Sequence, residues 1–122
     1  MIKKILLVDD SRTVLLMERM ILAKQAYDLV LAHDGLQGIE VAREERPDLI
    51  VMDVVMPRMD GLEALQRIRA DEALRDTPVM LVTTRGEPEH VERGYAAGCS
   101  EYVTKPIDAP AFLTKVRELL RS

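Results

Sequence analysis

Short apolar runs alternate with amphipathic stretches along the chain. Ile5-Leu6-Leu7-Val8, Leu29 to Ala32, Leu49 to Met52 and Val79 to Val82 are bounded by turn-forming residues. Such runs read as strands buried on both faces. Glu101 to Thr104 reads as a shorter fifth strand. Between the strands, apolar residues recur at helical spacing. Val14, Met17 and Ile21 follow Ser11, a good helix cap; Leu36, Ile39 and Ala42 follow Asp34-Gly35; Leu62, Leu65 and Ile68 follow Asp60-Gly61. A weaker helix is predicted from about Glu89 to Ala97, stopped by Gly98, and a last one carries Leu113, Val116 and Leu120. Each of these sets is expected to face a core. Five strands alternating with five helices predict an α/β fold, a doubly wound parallel sheet covered on both faces. Pattern alone does not fix strand order; the flavodoxin-like order 2-1-3-4-5 is the natural candidate.

Composition narrows the function classes. The 122 residues suit one domain, 1–122, and 48% hydrophobic residues supply a core. No apolar run approaches the ~20 residues that span a bilayer. Met1-Ile2-Lys3-Lys4 runs directly into a strand with no cleavage-site pattern, so no signal peptide and no membrane partner are expected. The single Cys99 excludes an internal disulfide and fits a reducing cytoplasm. A net charge of −4 argues against a nucleic-acid surface on this domain.

Candidate chemistry collects at the strand ends. Strand 1 ends in Asp9-Asp10, strand 3 in Asp53, strand 4 in Thr83-Thr84, and Lys105-Pro106 follows strand 5. In an open parallel sheet, ligands bind at the carboxyl ends of the strands. In the candidate order, strands 1, 3 and 4 are neighbours, so three carboxylates crowd one crevice. Like charges at that spacing need a compensating cation. Few carboxylates with room for water suit Mg²⁺. A lysine and a hydroxyl beside such an ion suit phosphoryl oxygens, so the constellation reads as phosphoryl transfer with a carboxylate nucleophile.

These residues resemble the receiver domain of two-component response regulators, the CheY-like family. The resemblance covers essentially the whole chain. It rests on Leu7-Val8-Asp9-Asp10-Ser11, on Asp53 followed by Met56-Pro57-Arg58-Met59-Asp60-Gly61, on Thr83, and on Tyr102-Val103-Thr104-Lys105-Pro106. It implies that Asp53 accepts a phosphoryl group from a histidine kinase. Asp10 and Asp53 would bind Mg²⁺ directly with the Val55 carbonyl, and Asp9 mostly through water. Lys105, Thr83 and Thr84 would meet the phosphoryl group, and Thr83 with Tyr102 would form the switch. The resemblance also implies a cis peptide between Lys105 and Pro106, and a signalling protein that catalyses only its own phosphorylation and dephosphorylation.

Two departures from the family pattern bear on the chemistry. Thr84 stands where a small residue is usual and narrows access to Asp53. Val55 and Arg85, two positions beyond Asp53 and Thr83, occupy places where the family tunes hydrolysis, and an apolar Val55 cannot hold an attacking water. An Asp-nucleophile phosphatase is the main alternative, but it needs an acid where Val55 stands. A flavin or nucleotide binder lacks its Gly-rich loop after strand 1. A stand-alone regulator is favoured over a receiver belonging to a longer protein, because no output domain follows Leu120. Val91 and Tyr95, i and i+4, are either core or, if exposed beside Tyr102, a docking patch for an output partner. Cys99, His33 and His90 are read as packing or surface residues, and the seven Met as core fillers.

Overall fold

The structure is a computed structural model that describes residues 2–121. Its elements are β1 (Lys4–Val8), α1 (Arg12–Leu22), β2 (Asp28–Ala32), α2 (Gly35–Glu45), β3 (Leu49–Asp53), α3 (Gly61–Ala70), β4 (Val79–Thr83), α4 (Pro88–Ala96), β5 (Glu101–Thr104) and α5 (Ala109–Leu120). The five strands form one parallel sheet in the order β2-β1-β3-β4-β5, as expected.

Alternation along each strand sends neighbouring residues to opposite faces. Leu6 and Val8, Ile50 and Met52, and Val79 and Leu81 meet Ile39, Ala42, Leu65 and Ile68 of α2 and α3. Ile5 and Leu7, Leu49 and Val51, and Met80 and Val82 meet Leu15 and Leu22 of α1 and Phe112, Val116 and Leu120 of α5. The sheet therefore divides two cores. β3 and β4 are buried throughout, whereas the edge strand β5 has no fully buried residue.

The helix starts are where turn chemistry puts them. Ser11 Oγ, Asp34 Oδ1 and Asp60 Oδ1 accept the backbone N–H of Val14, Gln37 and Glu63, respectively, satisfying donors that the first turn leaves free. Glu87, ahead of α4, makes no such bond, in keeping with the weaker pattern there.

Two inward faces differ from expectation. On α1 the buried residues are Leu15, Glu18 and Leu22; Met17 is 41% exposed. Apolar side chains nearly encircle this helix, so two stripes one residue apart fit the spacing, and the one containing an acid is the one buried. On α2, Leu36 is 48% exposed, and Gly35, Gly38, Ile39 and Ala42 form the inner face. Glycine lets the helix backbone itself approach the sheet, which a count of apolar side chains does not register. Of the methionines, Met52, Met56, Met59 and Met80 are buried, but Met17 and Met20 are exposed on α1, and Met1 lies outside the described residues.

Candidate functional site: an acidic crevice at the strand ends

Register decides which side chains meet. Val8 pairs with Met52, so Asp9 and Asp53 leave the sheet side by side. Both continue the residue series of the α1/α5 face, after Ile5 and Leu7 and after Leu49 and Val51. Thr83 continues the series of Val79 and Leu81 on the other face. Thr83 pairs with Thr104, and the Lys105 N–H donates to the Thr83 carbonyl at 2.7 Å, which fastens the loop carrying the lysine to β4.

Asp9, Asp10 and Asp53 each offer an oxygen within 4.8 Å of the others. Asp9 and Asp53 are buried and Asp10 is exposed. Lys105 Nζ lies 3.2 Å from Asp9 Oδ2 and 3.5 Å from Asp53 Oδ1, so one ammonium is shared by two buried carboxylates. The other Asp9 oxygen accepts the Ser11 N–H at 2.9 Å. Burial, and then repulsion from Asp9, push the Asp53 carboxyl up to about 6, with Lys105 opposing. Burial pulls Lys105 down, but Asp53 and Asp9 outweigh it and hold the ammonium above its ordinary range. An all-oxygen donor set with two buried acids, one exposed acid and an open side fits a hard divalent cation that keeps part of its water.

The turn after β3 is held from two sides. The Gly61 N–H donates to the Val54 carbonyl at 2.7 Å, and a Cβ at Gly61 would stand 2.2 Å from the Asp53 carbonyl oxygen. Arg58, with φ of 69°, reaches across to Asp34, the N-cap of α2. This ion pair was not legible in the sequence, where nothing links two residues 24 positions apart.

The remaining expected residues are placed as follows. Thr83 is buried, and its hydroxyl accepts the Arg85 N–H at 3.2 Å; Thr84 is exposed. The Tyr102 hydroxyl donates to the Arg85 carbonyl, and its ring is packed so closely on α4 that a Cβ at Gly94 would lie 2.8 Å from it. Val91 is half-buried, while Tyr95 is exposed and donates to Glu101 at 3.3 Å. Val55 and Arg85 share a groove of about 330 Å³ beside the crevice, with Met56, Asp60, His90 and Arg93. The Lys105–Pro106 peptide is cis, as the resemblance implied. Cys99 is buried, and burial pushes its thiol up to about 11, away from reactivity. Sequence reasoning missed Glu18; the signal was an acid between Leu15 and Leu22 at core spacing.

Residues 5–117 match the response regulator receiver domain model, and the chain belongs to that family. It is 36% identical over 118 residues to the DNA-binding dual master transcriptional regulator RpaA of Synechocystis sp., covering 97% of this chain but only 49% of RpaA. It is 33% identical over 121 residues to the polar-differentiation response regulator DivK of Brucella anthropi, covering 97% of this chain and 96% of DivK. Among solved structures, the receiver domain of the sensor histidine kinase PA1611 from Pseudomonas aeruginosa, which has a magnesium ion coordinated in its active site cleft, superposes with a TM-score of 0.91 at 29% identity over the whole of both chains. Among the described residues, no helix is long and apolar enough to cross a membrane.

Proposed function

We propose that this receiver takes a phosphoryl group from a histidine kinase onto Asp53, in a Mg²⁺-dependent reaction in the cytoplasm, and changes its affinity for a protein partner as a result. The observation that carries this reading is the arrangement of Asp53 beside Asp9 and Asp10, with Lys105 within 3.5 Å of the Asp53 carboxylate. With its carboxyl at about 6, Asp53 is mainly ionised at pH 7 and available as a nucleophile. One Asp53 oxygen forms the new bond to phosphorus as the phosphorus–nitrogen bond of the phosphohistidine breaks, and the electron pair leaves with the imidazole. Lys105 offers its ammonium to a phosphoryl oxygen, and Asp9, Asp10, Asp53 and the Val55 carbonyl would hold the metal. Bound there, Mg²⁺ neutralises charge that develops on the phosphoryl oxygens. The magnesium in the PA1611 receiver supports the same use of this crevice.

Thr83 and Tyr102 are the proposed switch. Both meet Arg85, Thr83 through its N–H and Tyr102 through its carbonyl. A Thr83 hydroxyl drawn to the phosphoryl group releases the Arg85 N–H and loosens the Tyr102 anchor. Only a few kcal/mol of differential contact between two pre-existing states is needed. The affected surface, around Val91, Tyr95 and Tyr102, is the proposed docking site. An Asp-nucleophile phosphatase needs an acid two residues past Asp53, and the Val55 side chain has none. The test is mass spectrometry after incubation with a phosphorylated kinase and Mg²⁺. An acyl phosphate on Asp53, absent from Asp53→Asn, is expected. Undiminished labelling of Asp53→Asn at another residue would refute the assignment.

A further inference from the structure

Among the described residues, the buried carboxyls are those of Asp9, Glu18, Asp34 and Asp53. Asp9 and Asp53 share Lys105, and Glu18 Oε1 has no hydrogen-bond partner. Asp34, at the start of α2, has a cation of its own. Its Oδ1 accepts the Gln37 N–H at 2.8 Å and its Oδ2 accepts the Arg58 guanidinium, so each oxygen has one task. The Gln37 N–H outweighs burial and, with Arg58, holds this carboxyl below its ordinary range, so it is ionised at pH 7. Capping α2 needs only one of the two oxygens. The other is free to hold the turn that follows Asp53.

Arg58 sits at the tightest point of that turn. The Met59 N–H donates to the Pro57 carbonyl at 2.8 Å around Arg58, whose φ is 69°. A bond spanning one residue of positive φ is a γ-turn of the rare, strained hand. A residue with a Cβ stays in that region only where its surroundings hold it there. A residue serving the turn alone would be glycine, which adopts this φ without strain. Among the side-chain hydrogen bonds of residues 54–60, that of Arg58 reaches an element other than β3 and α3, whereas that of Asp60 caps α3. The backbone rests on the same element, since a Cβ at Gly35, next to Asp34, would stand 2.6 Å from the Met59 carbonyl oxygen. Val54, Met56 and Met59 are buried below the turn, and Val55 is exposed between the first two.

We infer that the Arg58–Asp34 pair is a latch that fixes the backbone of the turn carrying the Val55 carbonyl, which makes Arg58 a positioning residue for the divalent cation. This rests on the phosphoacceptor reading, in which Asp53 and the Val55 carbonyl hold Mg²⁺. Only Met56 and Pro57 stand between Val55 and Arg58. Proline fixes its own φ, and Met56 is pinned by burial, so a change of φ at Arg58 meets little slack before it reaches Val55. With its guanidinium on Asp34, Arg58 keeps its positive φ, and the turn holds one shape whether or not the crevice is loaded. Without the latch, the γ-turn relaxes toward negative φ and the Val55 carbonyl samples other directions. Ordering it again is then a cost of every binding event.

The test is a double-mutant cycle on the full chain, with Mg²⁺ alone as the probe: wild type, Arg58→Ala, Asp34→Asn and the two together. Asp34→Asn keeps an oxygen for the Gln37 N–H and removes the charge that meets Arg58. Nitrogen-15 NMR of the backbone amides reads Mg²⁺ affinity, and urea denaturation reads stability. Each single variant should bind Mg²⁺ about tenfold more weakly, as when the support of a metal ligand is removed. The double variant should bind no more weakly than either, because the two residues act as one unit. Arg58→Lys, which keeps the charge, should recover part of the affinity. Arg58→Gly, which accepts the φ but has no latch, should stay weak. Wild-type affinity in Arg58→Gly overturns the proposal, since the turn would then need no latch. So does an additive loss in the double variant, or a loss of stability with Mg²⁺ affinity unchanged, which would make the pair a structural tie. Failure of the wild type itself to bind Mg²⁺ sinks the phosphoacceptor reading and the latch with it, and that outcome is read before any variant is compared.

Discussion

The two faces of the sheet reach the crevice with different materials. On the α1/α5 face, Asp9, Asp53, Lys105 and Glu18 bring four ionisable groups together over a core of Leu7, Val51 and Phe112. On the opposite face, Thr83 and Tyr102 bring neutral hydroxyls, and both of them hold the backbone of Arg85. The first face is charged and closely confined. The second ends on an edge strand and an uncapped helix, where small movements cost little. The charged groups are thereby separated by the thickness of the sheet from the hydroxyls that hold Arg85, and Asp53 and Thr83 stand on adjacent strands at the seam.

Removing the shared cation should have the largest effect. Lys105→Ala leaves two buried carboxylates without their ammonium. Phosphotransfer should fall by roughly a hundredfold or more, as when a donor to a developing oxyanion is removed. Stability at pH 7, read by urea denaturation, should fall by about 2 kcal/mol. Thr83→Ala on the other face should still label at Asp53, but lose the phosphorylation-dependent change in Tyr102 NMR signals. Equal loss of labelling in both variants would erase the distinction between the faces.

The charged face should also show itself in pH. Glu18 and Asp53 have folded values raised to about 8 and about 6, so the native state holds protons that the unfolded chain has released. Stability must then fall as pH rises, from about 4 to 6 through Asp53 and from about 4.5 to 8 through Glu18. The Glu18 part of that loss is on the order of 5 kcal/mol. Glu18→Leu should flatten the slope and stabilise the metal-free protein at pH 7 by roughly 2 kcal/mol, because a buried unpartnered carboxyl is gone. Denaturation curves at pH 5 and pH 8 check both; an unchanged slope in Glu18→Leu would move the titration elsewhere.

Gly94→Ala sharpens the relay face. The new methyl would stand 2.8 Å from the Tyr102 ring, so the ring must turn and give up its bond to Arg85. A cost of about 1 kcal/mol is expected, with partner affinity altered before phosphorylation while labelling of Asp53 stays intact. The smallest effect lies in the groove shared by Val55 and Arg85. Val55→Asn with Arg85→Glu should shorten the acyl phosphate lifetime several-fold, since each water-positioning contact is worth ~1 kcal/mol. A kinase-free decay assay measures it, and decay at the wild-type rate or slower would remove these side chains from control of hydrolysis.

What the sequence disclosed was unequal between the same two faces. The strand ends were legible because short apolar runs stop abruptly at Asp9, Asp53 and Thr83, and parallel topology carries those ends to one side. The rotation of α1 was not. Its apolar residues leave the inward stripe ambiguous: Val14, Met17 and Ile21 stand at helical spacing, and so do Leu15 and Leu22 with Glu18 between them. The inner face of α2 was misplaced at Leu36 because glycine contributes closeness without hydrophobicity. The Arg58–Asp34 pair joins a turn to a helix cap through space alone. Tyr102 came from resemblance to a family, and only its contact with Gly94 explains its setting.

The turn that follows Asp53 has a consequence for which positions can accept a side chain. A Cβ at Gly35 would stand 2.6 Å from the Met59 carbonyl oxygen, and one at Gly61 2.2 Å from that of Asp53. Neither glycine has a side chain, yet any replacement pushes one against backbone, at Gly35 against Met59 and at Gly61 against Asp53 itself. The exposed Val55, Arg85 and Tyr95 carry no such steric constraint, whereas two positions with no chemistry of their own admit no side chain without a backbone shift. The shape of the turn behind Asp53 is thus set in part by what has no side chain at all.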